Sequence, residues 1–181
     1  KLFESLINTS DQAEDGLTDE AIEAIAKASL HMSKYKTGAL IVLEQETRLG
    51  DVERTGIRID GLISSQLLIN IFEKNTPLHD GAVIIKNNRV SAATCFLPLS
   101  DSMEISKDLG TRHRAAIGIS EGTDALVIVV SEENGIISCV RNGKIKRGLD
   151  AELIKKILLS TRKKKRSERK KVIWKGKSKN E

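Results

Sequence analysis

Apolar residues recur along this chain with two different spacings, and the alternation between them outlines a fold. From Asp19 to Tyr35 they follow a three-to-four-residue period through Ala21, Ile22, Ile25, Ala28, Ser29 and Met32. That period predicts an amphipathic helix, with Thr18 as N-cap and Asp19 and Glu20 in its first turn. Gly38 to Leu43 is a continuous apolar run, as in a strand buried on both faces. Glu44 to Gly56 is polar and reads as an excursion at the sheet edge. Helical spacing returns from Ser64 to Glu73 through Leu67, Leu68, Ile71 and Phe72. Pro77 pushes Thr76 towards an extended conformation, so a loop leads into His79 and Asp80.

Two hairpin-like patterns follow. Ala82 to Lys86 and Val90 to Leu97 flank the turn pair Asn87-Asn88, and Leu126 to Val130 and Ile136 to Val140 flank Glu133-Asn134-Gly135. Arg112 to Ser120 reads as a helix between them. Asn142-Gly143 turns the chain into Lys144 to Arg147, and Ala151 to Ser160 has the spacing of a last amphipathic helix. Helices mixed with hairpins predict a single α/β domain over residues 19–160, a central mixed sheet flanked by helices on both faces. Residues 1–17 lack a pattern, and the segment up to residue 18 is expected to be flexible.

Charge divides the chain at the same place. Residues 161–181 carry eleven Lys or Arg against two Glu, a local charge of +9 within an overall +5. The body is therefore slightly acidic, and the basicity belongs to a tail expected to be disordered. Trp174 is the tail's one aromatic residue, which gives no stacking series and argues against specific nucleic-acid recognition. Anionic lipid is an equally good partner for such a tail. No stretch approaches the ~20 apolar residues of a membrane span. Cys95 and Cys139 lie inside apolar runs without metal-ligand spacing, as buried reduced thiols would.

Candidate chemistry concentrates in two segments about thirty residues apart, Leu78-His79-Asp80-Gly81-Ala82 and Leu109-Gly110-Thr111-Arg112-His113-Arg114. The first sets a carboxylate and an imidazole at the mouth of a strand. The second sets a hydroxyl, two guanidinium groups and an imidazole where a helix begins, and helix N-termini bind anions. A carboxylate that can hold a divalent cation, opposite a cluster that can hold phosphates, suits chemistry on a nucleoside triphosphate. Each residue also has a plainer reading: Asp80 as a turn acid, Gly81 as a turn glycine, His79 as a loop histidine bonded to a carbonyl, the basic motif as a solvated turn.

These segments resemble the DGA and RHR motifs of the diadenylate cyclase (DAC) domain, and the resemblance spans roughly residues 20 to 160. Thr37-Gly38-Ala39-Leu40-Ile41-Val42, Leu67-Leu68-Ile69-Asn70, Asn75-Thr76-Pro77-Leu78, Leu97-Pro98-Leu99-Ser100-Asp101 and Val130-Ser131-Glu132-Glu133 are similar to its membrane-associated CdaA-type branch. The resemblance implies condensation of two ATP molecules into cyclic di-AMP with release of two pyrophosphates. Catalysis is then expected from Asp80, Arg112, His113 and Arg114, with Arg114 either in the site or supporting it from behind. ATP is expected to meet Gly81, Ala82, Phe96, Leu97, Thr111, Arg112, His113 and Ser131. Relatives often carry Tyr where this chain has Phe96, so the ring can still stack on adenine but offers no hydroxyl to it.

A divalent metal (manganese, magnesium or cobalt) is expected at Asp80, with His79 and an acid of the Ser131-Glu132-Glu133 segment. Glu133 is favoured over Glu132 because it shares a side with Ser131 if the strand continues. The resemblance further implies a face-to-face homodimer, since each ATP must supply both a nucleophile and an electrophile. It also implies a membrane location on the cytoplasmic face, with transmembrane helices ahead of the catalytic domain. Lys rather than Met at position 1 fits a cut just before that domain. A YbbR-repeat membrane protein and phosphoglucosamine mutase are the implied regulators. Three rival readings stay open: a metal-dependent phosphohydrolase using His79, Asp80 and His113; an ATP sensor that leaves its ligand intact; and a nucleic-acid-binding protein acting through the tail.

Overall fold

Long β-branched and aliphatic runs leave the chain few options except a sheet covered on both sides, and the computed structural model shows that arrangement. It describes residues 16–102, 106 and 109–162. Among them, seven strands form one sheet: β1 (Ala39–Leu43), β2 (Ile57–Leu62), β3 (Ala82–Lys86), β4 (Arg89–Cys95), β5 (Leu126–Val130), β6 (Ile137–Arg141) and β7 (Lys144–Arg147). Their order is β2-β4-β3-β1-β5-β6-β7. β1 and β3 run parallel, and the other neighbouring pairs are antiparallel. β1 and β5 are buried along their whole length, as sheet centres flanked by two layers must be.

Alternate side chains of the central strands feed two separate cores. Ala39, Ile41 and Leu43 face a layer built by α1 (Asp19–Lys34), α3 (Ser65–Ile71) and α5 (Ala151–Leu159). Leu40 and Val42 face the other layer, with α4 (Thr111–Gly122) and the short α2 (Gly50–Glu53). Thr18 caps α1 as expected, its Oγ1 accepting from the Ala21 amide, and the structure adds Ser64 Oγ accepting from Leu67 and Asp150 Oδ1 accepting from Leu153. Asn87 and Asn88 both take positive φ, as a tight hairpin turn of this kind requires. Asn88 Oδ1 accepts from the Thr18 amide, joining that turn to the start of α1.

Three boundaries differ from the sequence reading. Leu17 and Thr18 are not loose: Leu17 is buried in the core and Thr18 caps α1. At the other end, Arg162 belongs to the fold and not to the tail. It donates to the Leu17 carbonyl and to Asp19, both at 2.6 Å, so one side chain clasps the entry and exit of the domain. The remaining expectations for the two terminal segments lie outside the described residues. Finally, the polar stretch after Leu43 contains α2 and the buried Leu49, and β2 follows it. Glu44 anchors this excursion by accepting from Arg48 and from the Leu49 amide.

Candidate active site

Strand directions gather the motif residues at one end of the sheet. Ala39 pairs with Val130, Ile41 with Val83, and Ala82 with Cys95. The starts of β1 and β3 and the ends of β4 and β5 therefore lie side by side. Gly38, Asp80-Gly81, Phe96-Leu97 and Ser131-Glu132-Glu133 all leave the sheet there. The N-terminus of α4 meets the same end, because Arg112 lies against Gly38 and its Nη1 is 3.0 Å from Glu132 Oε2.

The basic motif forms the first turn of α4, a twelve-residue helix with Gly110 as N-cap and no side-chain cap. Its opening amides and positive dipole end are thus available to an anion. A small cleft of about 60 Å³ lies between this turn and the end of β5, lined by Gly110, Thr111, Arg112, His113, Val130, Ser131, Glu132 and Glu133. Thr111 is exposed, Arg112 half-buried and His113 buried. A larger recess of about 300 Å³ opens between the ends of α1 and α3, lined by His31, Tyr35, Thr37, Ile69, Glu73 and Lys74. It holds none of the motif side chains.

Arg114 points elsewhere. Its Nη2 donates to the Ser100 carbonyl at 3.0 Å, while the Ser100 amide donates to the Arg114 carbonyl. Ser100 Oγ completes the attachment by donating to Glu121. Of the two roles considered for Arg114, the geometry matches support from behind: it ties the segment after β4 to α4. Gly118 makes the contact close, since a Cβ there would stand 2.2 Å from the Pro98 carbonyl oxygen. That segment carries Phe96 and Leu97. Leu97 packs on the second core, whereas Phe96 is 74% exposed, with its amide held by Thr55 Oγ1. A ring left in solvent at a site's rim is placed to stack on a planar ligand.

Asp80 is exposed and makes no hydrogen bond or ion pair with the described residues. His79 Nδ1 lies 2.7 Å from the Thr76 carbonyl, which can only accept, so Nδ1 bears a proton and Nε2 is the ring nitrogen left for a ligand. The structure thus shows the plain reading of His79, a loop histidine bonded to a carbonyl; metal-bound imidazoles commonly anchor their other nitrogen in the same way. Gly81 has φ +113, and a Cβ would come within 2.8–3.0 Å of the Thr94 and Cys95 main chain. The fold alone therefore demands glycine there. Ala82 is fully buried in the second core and meets a ligand, if at all, through its backbone.

Ser131 and Glu133 do not share a strand face, because β5 stops at Val130 and the chain turns. Ser131 Oγ accepts from the Glu133 and Asn134 amides, and the turn docks on α1 through a 2.6 Å bond from Ser33 Oγ to the Gly135 carbonyl. The reason for preferring Glu133 thus falls away, and Glu132 is the acid that touches the basic motif. Among the described residues no three His, Cys, Asp or Glu side chains gather as a metal site. One strand separates β3 from β5, so the two strands run about 10 Å apart. Asp80 and His79 Nε2 could offer two donors to a divalent cation, whose remaining ligands would come from substrate and water.

This end of a mixed sheet carries an open carboxylate just ahead of β3 and an uncapped basic helix start beside the end of β5, an arrangement that suits a domain of the nucleotide-binding class. Residues 26–145 match the family model described as DAC, DisA bacterial checkpoint controller nucleotide-binding, and the chain belongs to that family. It is 57% identical over 139 residues to the cyclic di-AMP synthase CdaA of Bacillus subtilis, covering 77% of this chain and 51% of that one. It is 56% identical over 138 residues to a diadenylate cyclase of Listeria monocytogenes, covering 76% and 50%. The chain thus spans about half the length of the curated relatives it matches. The crystal structure of a double mutant of DacA from Staphylococcus aureus superposes with a TM-score of 0.78 at 50% identity, covering 79% of this chain and 95% of that one. A protein from Bacillus cereus, described as a hypothetical membrane spanning protein, gives 0.69 at 45% identity, covering 72% and 64%. Among the described residues, no helix is long and apolar enough to cross a membrane.

Proposed function

We propose that this domain is a diadenylate cyclase that condenses two ATP molecules into cyclic di-AMP, releasing two pyrophosphates. One observation carries the reading. A solvent-open carboxylate, Asp80, and an uncapped cationic helix start, Thr111-Arg112-His113, share one end of the sheet in a chain that closely resembles cyclic di-AMP synthases.

The helix start and Arg112 hold the phosphate chain, while Phe96 stacks on the adenine and Leu97 forms the wall behind it. Asp80 faces the ribose 3′-hydroxyl and accepts its proton as the oxygen bonds to the α-phosphorus of the other ATP. Asp80 and Nε2 of His79 would hold a divalent cation, and the imidazole favours manganese or cobalt over magnesium. When bound, such an ion lowers the hydroxyl pKa and offsets phosphate charge. Pyrophosphate leaves in line, and the helix dipole with Arg112 stabilises its growing negative charge.

The cleft of about 60 Å³ is far smaller than the ~300–1,000 Å³ that usually encloses a small-molecule ligand. A nucleotide lying across this edge stays open on one side, which supports a second copy closing the site face to face. A membrane-anchored whole protein on the cytoplasmic face, with a YbbR-repeat regulator and phosphoglucosamine mutase as partners, is the corresponding cellular setting. The direct test is incubation with ATP and manganese, followed by mass identification of the nucleotide product. Cyclic di-AMP is expected. AMP or ADP without a cyclic dinucleotide would mark a hydrolase, and unchanged ATP a sensor.

A further inference from the structure

Gly38 lies just before β1 and has no part in the chemistry so far assigned. We propose that its bare Cα is the seat of the Arg112 guanidinium, making Gly38 a positioning residue for nucleotide binding. The inference rests on the reading of Arg112 as a phosphate ligand. A Cβ built at Gly38 would stand 2.7 Å from Arg112 Nη1, 2.8 Å from Cζ and 3.2 Å from Nε. All three of its nearest atoms belong to that one planar group.

Gly38 is buried, and its φ is not in the left-handed region, so backbone conformation does not call for glycine. Space does. The guanidinium lies against the Gly38 backbone on one side and is held by Glu132 at 3.0 Å on another. Glu132 is itself set by the turn that Ser33 anchors through the Gly135 carbonyl. Two separate elements, the entry to β1 and the turn after β5, thus fix a side chain carried by α4. This arrangement spares the nucleotide the entropy of ordering a long flexible cation.

The fold can accept alanine at position 38, because what must move is the far end of a flexible side chain and not backbone. Gly38→Ala is therefore a lesion in the position of Arg112 alone. The test is a binding cycle by calorimetry on the full chain, with an ATP analogue whose α,β-bridging oxygen is methylene so that no turnover occurs. Wild type, Gly38→Ala, Arg112→Ala and the double variant are compared, with adenosine as a phosphate-free control and melting temperature as a check on the fold.

Gly38→Ala should weaken the analogue about tenfold, the loss of one charge-assisted hydrogen bond. Adenosine affinity and melting temperature should stay at wild-type values. In the Arg112→Ala background the same change should cost nothing further. If Gly38→Ala alone fails to fold while the double variant folds, the conflict with Arg112 is again demonstrated. An equal loss in both backgrounds, no loss in either, or unfolding of both Gly38 variants would overturn the proposal. Wild-type analogue affinity in Arg112→Ala would instead overturn the phosphate reading on which it stands.

Discussion

Asp80 and Gly81 are neighbours with opposite reasons for being what they are. Asp80 is exposed and engages none of the described residues, so Asp80→Asn should leave the melting temperature unchanged. It should nevertheless cut cyclic di-AMP synthesis at least a hundredfold, since loss of a metal-holding carboxylate costs several kcal/mol of barrier, about tenfold for each 1.4. Retention of a tenth of wild-type turnover would remove this carboxylate from the mechanism. Gly81→Ala should act first on the fold: strain at φ +113 and contact with the Thr94 main chain should lower stability by roughly 1–3 kcal/mol in denaturant titrations. Sequence made these two positions conspicuous but not their difference, which depends on a strand lying across from Gly81. The roles of Gly38 and Glu132 were invisible for the same reason. Their partner, Arg112, is more than seventy residues from Gly38 and twenty from Glu132.

Elements whose burial is set by their own periodicity were readable, and those set by neighbours were not. The helix after Thr18, the five-residue runs of β1, β3 and β5 and the three Asn-bearing turns need no outside information. β2 escaped because its alternation lasts only through Ile57-Arg58-Ile59-Asp60 and breaks at Gly61-Leu62, where the pairing of this edge strand shifts register. The strand expected through Leu97 stops at Cys95 because α4 captures the following segment, with Gly118 against Pro98 and Arg114 bonded to Ser100. That attachment can be tested. Gly118→Ala should push the Pro98–Ser100 backbone outward at an overpacking cost of about 1–3 kcal/mol. It should also weaken adenosine binding, because Phe96 and Leu97 ride on the displaced segment. Unchanged adenosine affinity in a measurably destabilised variant would detach the adenine wall from α4.

For the whole molecule, two buried thiols set an alkaline limit. Burial pushes both Cys95 and Cys139 up to about 11 from the ordinary 9.0, with Glu53 adding to the shift at Cys95. Unfolded thiols ionise near 9 while folded ones stay protonated, so this stabilisation is complete below pH 9 and is lost towards pH 11. Melting temperature should fall through that window, and replacing both cysteines with alanine should flatten the decline. Turnover has its own signature: specific activity should rise with protein concentration until dimers saturate, and cyclic product from a demonstrably monomeric enzyme would exclude the face-to-face mechanism. The clasp of Arg162 on Leu17 and Asp19 bears on how such pairing is possible. It brings residues 17 and 162 together beside the Asn87-Asn88 turn, at the end of β3 away from Asp80. Five residues of strand, about 17 Å, separate the two ends. The described chain therefore enters and leaves the domain at one place. The candidate reactive edge lies at the opposite end of the sheet, clear of both chain ends of the described domain.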